Sequence, residues 1–87
     1  MANVKAFHVP GLKMWFYSGD HQPPHFHAQR PGHWDARVFI LEDDERMIQV
    51  IRPPNGRIHA KDRRAIVAGV KHHRIGLMEE WEASQDG

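Results

Sequence analysis

Pro23-Pro24-His25-Phe26-His27-Ala28-Gln29 alternates imidazole and apolar side chains once its two prolines are past. A strand sends successive side chains to opposite faces. His25 and His27 therefore share one face, roughly 6–7 Å apart along the backbone, while Phe26 and Ala28 take the other. The prolines fix φ and donate no ladder hydrogen bonds, so Gly19-Asp20-His21-Gln22 ahead of them reads as a loop that enters the strand along a restricted path. Such a strand has one polar and one apolar side, and a covering helix belongs on the side of Phe26.

Outward from this strand the chain keeps the same period. Leu12 to Ser18 is aromatic-rich and bounded by Gly11 and Gly19, which suits a strand with Trp15 and Tyr17 on one face and Met14 and Phe16 on the other. Phe7-His8-Val9 reads as a short first strand ending at the Pro10-Gly11 turn. After the turn Arg30-Pro31-Gly32-His33, Trp34 to Leu41 is the longest strand candidate, with Ala36, Val38 and Ile40 on one face. Glu42-Asp43-Asp44-Glu45-Arg46 is an exposed turn, because unpaired acids are costly to bury. Met47 to Arg52 is a further strand, Pro53-Pro54-Asn55-Gly56 a tight turn, and Arg57-Ile58-His59 a brief return along that strand.

From Ala60 the period changes. Ile66, Val70, His73, Leu77 and Trp81 fall on one face of a helix spanning about residues 60–83. Gly69 and Gly76 lie on one flank, and each weakens the helix by up to about 1 kcal/mol relative to alanine unless another element packs closely there. The expected fold is α+β: one domain over residues 1–87, with an antiparallel meander of about four strands within 7–59 and a C-terminal helix packed on one face.

A chain of 87 residues buries only about 60% of the surface it exposes when unfolded, so the core is small. There is no cysteine, which removes disulfides and thiolate ligands and leaves imidazole and carboxylate for any metal. No apolar run suits a signal peptide or a membrane span, and a cytoplasmic protein is expected. The net charge of +1 hides segregation: residues 42–46 are acidic, and residues 52–74 carry Arg57, Lys61, Arg64, Lys71 and Arg74 among their bases against Asp62 alone. A basic block of this kind suits an anionic partner or simply a solvated helix face.

The runs WFYSGDHQPPHFHA at 15–28 and DARVFIL at 35–41, with LMEEW at 77–81, carry a resemblance. The chain resembles a family of small bacterial proteins with a PPHxH signature, catalogued as a domain of unknown function. The resemblance extends from about Val9 to Trp81 and implies a second small protein encoded alongside, in a toxin–antitoxin-like pairing. It implies no reaction.

The residues themselves leave several chemistries open. His25 and His27 on one strand face, with Asp20 or His21 as a third ligand from the loop, suit Zn, Ni, Mn or Fe. A metal-dependent hydrolase or nuclease would be centred there. Without a metal, histidine and Asp20 can form a general base, but no motif supplies a nucleophile. His73 lies in the apolar stripe and reads as a core histidine with one hydrogen bond. Alternation places Phe26, and not His25 or His27, under the helix, which speaks against a His25–His27–His73 triad. Nucleic acid is a further candidate partner for the basic segment, with Trp15, Tyr17 and Trp34 offering stacking surfaces. The first expectation is an interaction or regulatory module, with the metal-dependent enzyme and the nucleic-acid binder as alternatives.

Overall fold

Alternation and turn chemistry together produce a five-stranded antiparallel meander, in the order β1 (Ala2–Asn3), β2 (Lys13–Phe16), β3 (His25–Arg30), β4 (Trp34–Phe39) and β5 (Ile48–Arg52). Helices α1 (Ala60–His72) and α2 (Arg74–Gln85) follow, in a computed structural model that describes residues 1–85. None of the described helices is long and apolar enough to cross a membrane.

The registers fix which side chains line up across the sheet. Met14 faces Ala28, Ala28 faces Ala36, and Ala36 faces Val50; Phe26 faces Val38, which faces Ile48. With Phe16 these residues make one face, and Met14, Phe16, Phe26, Ala28, Ala36 and Val38 are all buried. Ile66, Val70, Leu77 and Trp81 from the helices belong to the same buried cluster. The opposite face carries His25, His27, Trp15, Arg37 and Gln49; Trp81 of α2 reaches its His25 end, and Arg37 and Gln49 are exposed. As expected, the helical side is the side of Phe26.

Three local expectations need correction. Phe7-His8-Val9 is not a strand; the first strand is Ala2–Asn3, paired with Phe16 and Trp15. The physical reason is Phe7, whose ring meets Phe26 edge-on and lies flat against His73 at 5.9 Å. It packs on Gly69, where an added Cβ would overlap it, so Gly69 serves close packing at the cost of helix propensity. Arg57-Ile58-His59 joins no strand and leads directly into α1.

The third correction is the single helix. His73 leaves helical geometry at φ −121° and ψ 23°, which divides it into α1 and α2. The ladder nevertheless continues, with His73 N–H donating to Gly69 O at 3.0 Å and Leu77 N–H to His73 O at 2.9 Å. The apolar stripe therefore runs through the bend, and His73 lies half-buried on Phe7.

A part-buried ion pair joins the sheet to α1 on the covered side. Arg30 points to this face from β3 and donates from Nε and Nη2 to both carboxylate oxygens of Asp62, at 2.7 and 2.8 Å. Asp62 is buried, and the hydrogen bonds from Arg30 hold its carboxyl below the usual range. The pair ties the first turn of α1 to the sheet, where His59 provides no side-chain cap.

Candidate metal centre

The loop between β2 and β3 folds onto the open face of the sheet. Gly19 takes φ +80°, a left-handed conformation that a side chain would disfavour, and turns the chain back so that Asp20 meets the strand it precedes. Proline carbonyls then hold the entry to β3. Pro24 O accepts from Ile40 N–H at 3.1 Å, and Pro23 O lies 2.9 Å from His25 Nδ1.

That second contact sets the chemistry of His25. A carbonyl only accepts, so Nδ1 carries the proton, and in the neutral ring Nε2 presents a lone pair. Nε2 lies 3.4 Å from Asp20 Oδ2, and the same oxygen lies 3.0 Å from His27 Nε2. The three ligand atoms of Asp20, His25 and His27 are all within 4.8 Å of one another. Donors bound at about 2.0–2.1 Å around a tetrahedral zinc lie about 3.4 Å apart, which the His25–Asp20 separation matches, while the 3.0 Å between His27 and Asp20 is a direct hydrogen bond that an ion would replace.

Aromatic rings fix the imidazoles in place. His27 lies between Trp15, nearly parallel at 5.7 Å, and Tyr17, edge-on at 4.7 Å. His25 is packed by Phe39 and Trp81, each at 5.5 Å. The side chains of Asp20, His25 and His27 are 21, 8 and 17% exposed, dry enough to strengthen electrostatics yet still reachable.

His21 stands apart from this convergence. It is exposed and lines a hollow of about 290 Å³ together with Asp20, Gln22, Pro23, His25, Arg37 and Phe39. His73 is on the other side of the molecule's sheet, stacked on Phe7.

The basic segment also divides. Lys71 Nζ contacts Asp44 Oδ2 at 3.3 Å, and Arg74 donates to Ile40 O at 2.8 Å and to Glu42 O at 3.3 Å. Arg63 Nη2 donates to Asp44 O at 3.2 Å. Part of the charge segregation in the sequence is thus internal: the acidic turn after β4 lies against the basic helix. Arg57, Lys61 and Arg64 remain exposed and make no side-chain hydrogen bond or ion pair among the described residues.

Sequence reasoning did not single out Arg37 or the Pro23 carbonyl. Arg37 was legible in principle, since alternation from Ala36 and Val38 puts it on the open face. Its pairing with His27 needed the register.

The family described as Domain of unknown function (DUF4160) matches residues 11–82. The chain belongs to this family. The match takes in β2 to β5, both ends of the β2–β3 loop and most of α2, so all three converging residues lie within it. No curated protein and no solved structure matches the chain.

Proposed function

We propose that Asp20, His25 and His27 form a divalent transition-metal site, and that metal-assisted hydrolysis is the chemistry it serves. The observation that carries this reading is the facing of His25 Nε2 and Asp20 Oδ2 at 3.4 Å, with the proton of His25 committed to Pro23 O. When the His25 ring is neutral, two acceptors face each other there, and His27 can supply a hydrogen bond to only one of them. A cation between them resolves the repulsion. A backbone carbonyl on the far nitrogen is also the usual outer partner of a metal-bound histidine.

Two imidazoles and one carboxylate bind Zn, Fe, Ni or Mn while leaving positions for water and substrate. An ion so held acts as a Lewis acid and, for zinc, brings its bound water to a pKa of about 7. Isothermal titration of tag-free protein with Zn(II), Ni(II) and Mn(II) tests the site. One equivalent should bind tightly to the parent, and His25→Ala or His27→Ala should each abolish that binding. Binding should weaken below pH ~6, where protons compete for imidazole. Parent affinity no better than that of the two variants would remove the metal centre.

The uncovered sheet face supports a second reading, a cytoplasmic interaction module paired with a small partner protein in a toxin–antitoxin-like arrangement. Trp15, Arg37 and Gln49 lie on this face beside Tyr17, which is 42% exposed. Co-purification with the product of an adjacent gene, lost on Trp15→Ala or Tyr17→Ala, is the expected result; recovery with both variants would discard it.

A further inference from the structure

Arg37 pairs with His27 in the β3–β4 ladder and with Gln49 on the other side. It is exposed, and among the described residues its guanidinium makes no hydrogen bond or ion pair. It shares the 290 Å³ hollow with Asp20 and His25, although no carboxylate of that hollow reaches it. The hollow therefore has two of the three converging residues, Asp20 and His25, at one wall and an unengaged planar fork at another. Pro23 and Phe39 give it apolar surface.

Resting on the metal reading above, we propose that the loaded site binds a small phosphate ester, its oxyanion shared between the ion and Arg37. Charge selects the class. A divalent ion held by one carboxylate and two neutral imidazoles keeps one positive charge, and Arg37 adds another. A phosphate monoester dianion matches both, whereas a carboxylate matches only one. Geometry selects in the same direction, because a guanidinium presents two parallel N–H groups to two oxygens of one oxyanion and leaves a third oxygen for the metal. Size limits the ligand. The hollow lies at the lower end of the range for small-molecule sites, about 300–1,000 Å³, which admits phosphate and a small organic group packed on Pro23 and Phe39.

Cobalt(II) makes the test readable, because its visible bands report on the ligands of the ion. Tag-free protein is first titrated with Co(II), then with inorganic phosphate, phenyl phosphate, sulfate and acetate. The parent should take up one Co(II), and phosphate and phenyl phosphate should shift its bands with saturation, more tightly than acetate. Arg37→Ala should bind Co(II) at least as well, since a nearby positive charge has gone. Its phosphate affinity should fall about 10- to 100-fold, the range for losing a charge-assisted hydrogen-bond pair, with Arg37→Lys between the two. A parent that gives no Co(II) bands overturns the metal reading and this proposal with it. Co(II) bands that phosphate leaves unchanged, or equal phosphate affinity in parent and Arg37→Ala, overturn this proposal alone. Acetate binding as tightly as phosphate would also overturn it, in favour of a carboxylate ligand.

Discussion

The two faces of the sheet are built from the same strands by the same alternation, yet they are put to opposite uses. On the helical face Phe26, Ala28, Ala36 and Val38 are almost fully buried and interchangeable in kind, each contributing area and shape. On the open face His27 and Trp15 are only partly covered and Arg37 is exposed, while His25 is buried against Phe39 and Trp81, and each has a specific neighbour. Residues 25 to 28 belong to both. The back of the site is thus the core itself, so the spacing of His25 and His27 is held by the packing of Phe26 between them. A loop-borne histidine pair would lack that support.

The largest effect should come from disturbing the covered face. Phe26 is fully buried and meets Phe7 and Phe16 edge-on. Phe26→Ala should cost about 3–5 kcal/mol in urea denaturation, through lost transfer energy and the cavity left behind. In whatever fraction stays folded, metal binding should persist. A Phe26→Ala protein that is stable but cannot bind metal would show that the two faces are not separable in this way.

A smaller effect should follow from the Arg30–Asp62 ion pair between sheet and helix. The hydrogen bonds from Arg30 depress the Asp62 carboxyl in the folded protein, so its folded pKa lies below the unfolded one. The stabilisation is then complete above the unfolded carboxyl's value of about 3.9 and is lost as pH falls through the folded pKa. Arg30 stays charged throughout. Asp62→Asn should be less stable than the parent at neutral pH, and the gap should close on acidification below pH ~4. Urea midpoints measured across that range will show it; a constant gap would mean that Asp62 acts through packing alone.

The sequence made the sheet and the back-to-back arrangement of β3 legible because both depend on a period of two, which neighbouring residues carry. The same period indicated that the helix would lie over Phe26, but not that Trp81 of α2 would also reach His25. What escaped was long-range. Nothing local in Phe7-His8-Val9 shows that Phe7 is needed at Gly69, 62 positions later, and this contact accounts for both the missing strand and the small residue in α1. The bend at His73 is invisible to helical spacing, since the stripe passes through it unchanged. The Arg30–Asp62 pair joins residues 32 apart with no motif between them. Asp20 and His21 were equivalent as loop donors in the sequence, and only the fold of the turn at Gly19 brings Asp20 to the imidazoles and leaves His21 exposed.

The smallest effect on the metal-free protein should be the most informative. His27 is partly exposed, and its losses on truncation are one hydrogen bond to Asp20 and the contacts with Trp15 and Tyr17. His27→Ala should therefore cost only about 0.5–1.5 kcal/mol without metal, the usual net worth of one such bond. Added zinc then separates a structural histidine from a ligand. Anything that binds the folded state alone stabilises it by about 2.7 kcal/mol at a free concentration of 100 Kd. The parent should gain that much in denaturation midpoint at neutral pH and lose the gain below pH ~6, where protons compete with metal for imidazole. His27→Ala should gain nothing at either pH, because two donors do not hold the ion. Equal stabilisation of parent and variant would place the zinc on the remaining surface histidines. A metal-free loss as large as that of Phe26→Ala would make the open face a second core, and its histidines packing residues.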